Sequence, residues 1–158
     1  MKEGNKENLQ CGIEQYTIYV RMADQVSARR NEANKFYISL LTALLALLSI
    51  LLEGGFTSIP ANITLLAVSV LGVLLCIVWM TNIRSYSQLN SGKFKVIHEM
   101  EDFLPFQCYK REWELLGKGS HSNRYLQLTR VEQVVPLIMA LPYLGLLVYS
   151  ILALINNW

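Results

Sequence analysis

An apolar run without charge, glycine or proline covers residues 36–52, which read FYISLLTALLALLSILL. A helix rises about 1.5 Å per residue, so a helix of this length spans about 25 Å, close to the thickness of the hydrocarbon core of a bilayer. The pattern therefore predicts a membrane helix, around which the other segments of the chain are arranged.

Small and hydroxylated side chains recur on one side of this helix, in steps of three and four residues. They form a stripe that consists of Ser39, Thr42, Ala46, Ser49 and, one step beyond the run, Glu53. The leucines and isoleucines are then left for lipid. Small residues let helices approach closely in a bilayer, so the stripe is typical of a packing seam. Several copies of the stripe would also line an aqueous pore, and a ring of Glu53 carboxylates at its outer mouth would favour cations.

A second apolar run over residues 63–81 predicts a second membrane helix, and residues 53–60, EGGFTSIP, predict the turn between the two. The resulting transmembrane hairpin covers residues 36–81. Its second helix carries a stripe of Ser69, Gly72 and Cys76, which predicts helix packing against the first stripe. Trp79 is expected to mark the membrane interface.

Residues 1–35 are expected to form a cytosolic tail followed by an amphipathic helix. Ile13, Tyr16, Val20 and Ala23 recur at helical spacing, and no proline or glycine interrupts residues 13–35. The amphipathic helix should therefore run into the first membrane helix without a break. Residues 1–10 lack periodicity and are expected to be a frayed tail.

Residues 82–128 predict a cytosolic helical segment. Apolar residues between positions 83 and 104 keep a helical period, which predicts a separate helix that ends at Pro105. A shorter helix carries Tyr109, Trp113 and Leu116 at i, i+4 and i+7 and should stop at Gly117. The acidic run over residues 99–102 is typical of a solvated face.

Residues 129–158 predict a C-terminal apolar helix. Thr129 and Glu132 have the spacing of a capping box, and no charge follows Glu132. The uncharged stretch over residues 134–155 is long enough to span a bilayer, so we expect a third membrane helix. Pro136 and Pro142 predict a kink in it, and the competing interpretation is a helix buried against the other two or within an oligomer.

Charge is confined to two blocks of the chain. Apart from Glu53, every Asp, Glu, Lys and Arg lies before residue 36 or within residues 84–132. Six Lys and Arg residues precede the hairpin and eight follow it, whereas the turn at residues 53–60 has none. By the positive-inside rule the N-terminus and both charged blocks are cytosolic. The net charge of +2 is too small to indicate nucleic-acid binding.

Residues suited to catalysis are few and scattered. The two histidines, His98 and His121, lie in separate predicted elements, and neither has a partner at a motif spacing. No arginine has a histidine across four to six intervening residues, the spacing of one class of ribonuclease. The three cysteines form no C-x-x-C pair, which disfavours a zinc site or a disulfide framework. We therefore expect no catalytic residue, no metal, no cofactor and no enzyme activity.

Three segments of the chain resemble a known family. They are KFKVIHEMEDFLPF at residues 93–106, EWELLGKG at 112–119 and TRVEQVVP at 129–136, in that order after a lead helix and a hairpin with a GG turn. This arrangement is similar to the RipA-family octameric membrane proteins, and among these to the small membrane accessories of type VI-B CRISPR systems. A looser similarity is to two-helix membrane effectors of phage defence.

The resemblance implies an all-α integral membrane protein of the bacterial inner membrane, in which eight identical chains form a ring with a central pore. It also implies a functional partner, an RNA-guided RNA-targeting CRISPR nuclease, which the pore would support by depolarising the infected cell. Two alternatives stay open. One is a non-catalytic membrane-anchored scaffold that holds a soluble partner, and the other is a degenerate membrane-bound ribonuclease whose RNA cleavage would depend on His98.

Overall fold

The structure is a computed structural model that describes residues 3–53, 61–117 and 128–156. Within these ranges it contains four α-helices and no strand, which confirms the predicted all-α fold. The helices are α1 (Glu3–Glu53), α2 (Ala61–Glu101), α3 (Cys108–Leu115) and α4 (Leu128–Asn156).

Helix α1 is one uninterrupted helix of 51 residues, so the predicted continuity of the lead helix with the first membrane segment is confirmed. The frayed tail expected over residues 1–10 is wrong from Glu3 onward, because the helix begins there. Extending a formed helix costs far less than nucleating one, so a polar segment without proline joins the long helix behind it. Exposed side chains add a local bond, in which the Gln10 amide donates to the Glu14 carboxylate at 3.2 Å.

Helix α2 joins two segments that the sequence suggested were separate helices. It runs from the second apolar run through residue 82 and through Gly92 to Glu101, because no proline interrupts it. The expected end at Pro105 is four residues too late. The amides of Asp102, Phe103 and Leu104 instead bond the carbonyls three residues earlier, at 3.1–3.3 Å, which tightens the chain after the α-helix and before the proline.

Helices α1, α2 and α4 are each long and apolar enough to cross a membrane, which includes the third membrane helix predicted near the C-terminus. Helix α4 continues through Pro136 and Pro142 and exposes much of its apolar surface. Its largest exposed side chains include Leu137, Ile138, Leu141, Val148, Leu152 and Ile155. Exposed aliphatic surface of this extent is typical of protein that faces lipid or other membrane helices.

The chain divides into two compact units that differ in charge. We call Met1–Asn31 with Arg84–Val131 the charged unit, and Glu32–Ile83 with Glu132–Trp158 the apolar unit. All but four of the charged side chains of the sequence belong to the charged unit. The sequence-based boundaries at residues 35/36, 81/82 and 128/129 stay predictions and lie within four residues of these divisions.

The core of the apolar unit is formed by side chains from all three long helices. Leu41 of α1, Cys76 and Trp79 of α2 and Tyr143 of α4 are each at most 4% exposed and form one cluster with Ile83. The Tyr143 hydroxyl donates to the backbone carbonyl of Leu41 at 2.6 Å, so the phenol is both packed and hydrogen-bonded. Tyr143 thereby links α4 directly to α1.

Gly72 provides the space that Tyr143 occupies. A Cβ atom at this position would overlap the Cδ1 and Cε1 atoms of the Tyr143 ring. Ser69 and Cys76, the other members of the predicted packing stripe of α2, are also buried, and the Ser69 hydroxyl donates to the Leu66 carbonyl at 2.9 Å. Gly72 therefore lies against the aromatic ring of α4, and Cys76 belongs to a cluster that contains both this ring and Leu41 of α1, while packing of the whole α2 stripe against the small residues of α1 stays a prediction.

The capping box predicted at Thr129 and Glu132 is not formed as expected. Helix α4 begins at Leu128, so Thr129 is its second residue and not its N-cap. The Thr129 hydroxyl lies 3.2 Å from the Ser87 hydroxyl of α2, with which it shares a hydrogen bond. The threonine thus joins two helices of the charged unit.

Replacement of Gly72 by alanine should destabilise the protein, because the new methyl group displaces Tyr143 and weakens its hydrogen bond to Leu41. Overpacking of this kind costs about 1–3 kcal/mol. The measurement is thermal unfolding in detergent, and Gly145→Ala is the matched control because a Cβ at Gly145 would meet nothing within 4 Å. The account fails if Gly72→Ala unfolds at the same temperature as Gly145→Ala.

Candidate pore-lining face

The four described members of the α1 stripe all lie on the outside of the protomer. Ser39, Thr42, Ala46 and Ser49 are exposed, and no described helix covers them. The side chain of Glu53 and the turn at residues 54–60 lie outside the described residues, so the carboxylate ring predicted at the outer mouth stays a prediction.

The opposite side of α1 carries the leucines that pack within the protomer. Leu41 is fully buried and Leu48 is 4% exposed, while Leu44 and Leu45 pack partly against the core. Each residue turns a helix by about 100°, which places the centre of this leucine face about 130° around the helix from the centre of the stripe. The seam inside one protomer is therefore made by leucines, and the expectation that the leucines of α1 face lipid is wrong for these four.

The hydroxyl groups of the stripe are satisfied by their own helix. Thr42 Oγ1 donates to the Ile38 carbonyl at 2.8 Å, and Ser49 Oγ donates to the Leu45 carbonyl at 3.3 Å. A hydroxyl that donates in this way still has acceptor lone pairs for water. The stripe can therefore face a helix of another chain or water, and its polar atoms are not left without a partner in either case.

Trp79 is buried within the protomer, so its side chain does not anchor in lipid headgroups, while its depth at the inner interface stays a prediction. It is 1% exposed, and its indole stacks on Tyr37 with ring centroids 5.7 Å apart. The indole Nε1 donates to the Asn34 Oδ1 at 2.9 Å. Because an amide inside the protomer accepts this hydrogen bond, the indole needs no lipid headgroup to satisfy it.

Glu101 is an ionisable residue whose surroundings differ from those that the sequence predicted. The acidic run to which it belongs was expected to be solvated, yet Glu101 is fully buried at the end of α2. Its carboxylate accepts hydrogen bonds from the Tyr16 hydroxyl at 3.0 Å, the Tyr109 amide at 2.8 Å and the Lys110 amide at 3.0 Å. The two amides belong to the first turn of α3, where unpaired N–H groups and the helix dipole favour a negative charge. One carboxylate therefore joins α1, α2 and α3.

The tyrosines around Glu101 are held in their protonated form. Burial, and then the hydrogen bond to Glu101, raise the pKa of Tyr16 well above its usual value. Burial also raises the pKa of Tyr109, and nearby carboxylates add to the effect. Tyr109 packs edge-on against Phe94, with ring centroids 5.6 Å apart. The phenol of Tyr16 thus stays a hydrogen-bond donor to Glu101 throughout the physiological pH range.

A signal for the burial of Glu101 was present in the sequence. It follows the buried Ile97 by four residues and precedes Leu104 by three, so it lies in register with the apolar side of the helix. Its neighbours Glu99 and Asp102 are exposed, and Asp102 pairs with Lys110 at 3.1 Å. The position of Glu101 within the helical period predicts its burial and distinguishes it from Glu99 and Asp102, whereas the acidic composition of the run does not.

The part of the chain that the structure describes contains no group of three or more His, Cys, Asp and Glu side chains arranged to hold a metal ion. His98 is half-buried on α2, and His121 lies outside the described residues. Cys76 is buried, whereas Cys11 and Cys108 are exposed and free.

A comparison with protein families gives one match, in which the model of the octameric membrane protein family covers residues 13–152. The match includes the stripe of α1, the core of the apolar unit and Glu101. Searches of curated proteins and of solved structures give no match.

Replacement of Glu101 by glutamine should destabilise the charged unit, because an amide cannot accept from all three donors with the strength of a carboxylate. A hydrogen bond to a charged group contributes about 1.5–3 kcal/mol, so we expect a loss of at least that size in thermal unfolding. Glu99→Gln removes a neighbouring exposed carboxylate and serves as the control. Equal unfolding temperatures for the two variants would contradict the role of Glu101.

Proposed function

Because this chain belongs to the octameric membrane protein family, we propose that eight copies form a ring whose shared axis is a pore. The observation that supports the proposal is that the α1 stripe lies on the outside of the protomer. Four leucines of α1 pack within the protomer, and the hydroxyl-bearing face is left outward together with exposed apolar residues such as Ile38, Leu47 and Ile50. The hydroxyl-bearing face can then meet other copies, and the exposed apolar residues can face lipid. A pore needs this kind of face from every subunit, since one protomer of three membrane helices cannot enclose a channel.

The orientation that we propose places the N-terminus and the charged unit in the cytosol of a bacterium, with the ring in the inner membrane. The support is the distribution of Lys and Arg, of which fourteen lie in the flanking blocks and none in the turn at residues 53–60. The pore mouth beside Glu53 then faces outward. A ring of its carboxylates would favour the passage of cations.

The protein acts in this proposal as a passive conductor and not as an enzyme. Ions that move down their gradient need no nucleophile, base or metal, and the sequence offers His98 and His121 no partner at a catalytic spacing. Coupled transport is disfavoured as well, because the three apolar runs contain no Asp, Glu, Lys, Arg or His that could carry a coupling proton or ion.

The biological setting that we propose is antiviral defence alongside an RNA-guided RNA-targeting CRISPR nuclease. The support is the sequence resemblance of residues 93–106, 112–119 and 129–136 to membrane accessories of such systems. Depolarisation would slow an infected cell and thereby reinforce RNA cleavage by the nuclease. Coexpression with the nuclease should lower phage plaque counts below those of the nuclease alone. Equal counts would contradict the role in antiviral defence but would not contradict the proposal of a pore.

A scaffold that holds a soluble partner is the second candidate function. The observation that favours it is the exposure of Phe103 and Phe106 in the charged unit, at 85% and 68%. A scaffold requires no conductance, so ion flux through liposomes that contain the purified protein separates the two functions.

Replacement of both Thr42 and Ser49 by leucine should abolish ion flux in liposomes, because the two leucines would close the polar face with aliphatic side chains. Insertion should be unaffected, since leucine favours the membrane more than either residue does. We expect loss of at least nine-tenths of the flux at equal protein content in the membrane.

Thr81→Leu is the matched control for this experiment. Thr81 is an exposed hydroxyl residue on α2 that donates to the Ile77 carbonyl at 2.9 Å, as Thr42 does to Ile38. It lies outside the stripe, so its replacement should leave flux unchanged. Full flux through the Thr42→Leu, Ser49→Leu variant would show that the stripe does not line the pore.

A further inference from the structure

The charged unit exposes three large apolar side chains on one short stretch of chain. Phe103 and Phe106 lie in the turn after α2, and Leu115 ends α3; they are 85%, 68% and 63% exposed. We call them the Phe patch. Each phenylalanine buries about 150–250 Å² when it is covered, so leaving two of them in water is costly.

The surroundings of the Phe patch suit contact with another protein surface. An open groove of about 280 Å³ adjoins it, lined by Pro105, Phe106, Gln107, Lys110, Arg111 and Glu114. The charged groups at the groove are already paired, since Lys110 bonds Asp102 at 3.1 Å and Arg111 bonds Glu114 at 3.4 Å. An apolar side chain could therefore enter the groove without leaving an unpaired charge behind.

A second apolar surface of the charged unit lies on α1. Cys11, Ile18 and Met22 are spaced by seven and four residues, which places them on one strip of the helix. Ile18 is 58% and Met22 is 45% exposed. The inward side of the same helix carries Ala23, at 3% exposed, and Tyr16, which bonds Glu101. We call the outward residues the Ile18 strip.

We propose that the Ile18 strip of one copy packs on the Phe patch of the next copy around the ring. A closed ring of identical chains uses a head-to-tail interface, in which two different surfaces of each subunit meet. The charged unit has two such surfaces, a helix with apolar side chains at i and i+4 and a groove beside two phenylalanines, which is a recurrent mode of helix recognition.

A second copy explains these surfaces better than lipid does. The charged unit contains all but four of the charged side chains of the sequence, and charge at this density is excluded from hydrocarbon. The family match names an octamer, so every subunit needs contacts on two sides. The inference depends on oligomer formation and does not depend on whether the ring conducts.

Two native cysteines allow a direct test in the full-length protein in membranes. Cys11 belongs to the Ile18 strip and Cys108 begins α3 beside Phe106; both are exposed, whereas Cys76 is buried. The variants Cys11→Ser and Cys108→Ser carry different tags and are coexpressed, and a short bis-maleimide is added. Each variant lacks one of the pair, and the Cys76 that both variants keep is buried, so a crosslink between the two tags forms from Cys108 of one chain to Cys11 of another.

The proposal predicts a crosslinked heterodimer that is absent when one partner is the Cys11→Ser, Cys108→Ser double variant. It also predicts that Phe103→Ser with Phe106→Ser abolishes the crosslink and reduces the detergent-solubilised particle from eight chains to smaller species. Leu89→Ser is the matched control, because Leu89 is 51% exposed in the same unit but belongs to neither surface. This control should keep both the crosslink and the mass.

Other occupants of the Phe patch give different results. A Phe103→Ser, Phe106→Ser variant that keeps both its eight-chain mass and the crosslink would show that no second copy covers the patch and would leave lipid as its occupant, and one that keeps its mass but loses a soluble partner would indicate a scaffold. Either result, or the absence of the crosslink from the tagged mixture, would overturn the proposal. Because the readouts are crosslinking and mass, they are independent of ion flux and of the failure or success of the pore proposal.

Discussion

The rotational setting of α1 is the constraint on which the rest of the account depends. Tyr143 fills the space left by Gly72 and donates a hydrogen bond to the Leu41 carbonyl, so α4, α2 and α1 meet at the aromatic ring of Tyr143. With Leu41 and Leu48 fixed inward, the geometry of the helix leaves the hydroxyl-bearing side outward. Helices in a bilayer gain little from hiding leucine from lipid, so close packing and hydrogen bonds of this kind decide which faces meet.

The charged unit is organised by electrostatics in place of a large apolar core. The Glu101 carboxylate accepts hydrogen bonds from two amides in the first turn of α3 and from the Tyr16 hydroxyl of α1. One buried charge with three donors therefore connects three helices. A buried charge is tolerated only when it is paired or fully hydrogen-bonded, and here both backbone and phenol donors meet it. The Lys93 ammonium lies 4.8 Å from the Tyr19 ring centre and adds a second contact between α1 and α2.

Periodicity in the sequence was enough to predict the long elements but not their ends or their partners. The apolar runs and the absence of breakers predicted α1 as one rod, and the uncharged stretch after Glu132 predicted α4. Trp79 was placed at the lipid interface because the sequence does not show that Asn34 accepts its hydrogen bond. Glu101 was placed in solvent because an acidic run is usually solvated. Its three donors come from residues 85, 8 and 9 positions away, and such tertiary contacts are not visible in local patterning.

A pore-lining stripe must be in contact with water in the assembled ring, and a cysteine placed on it can report this contact. In protein whose Cys11 and Cys108 are replaced by serine, one cysteine is introduced at Thr42 or at Leu47, both of which are exposed on the protomer. A charged, membrane-impermeant thiol reagent is then added to proteoliposomes. The account predicts rapid modification and block of ion flux for Thr42→Cys and neither for Leu47→Cys. Modification of Leu47→Cys alone, or of neither cysteine, would contradict it.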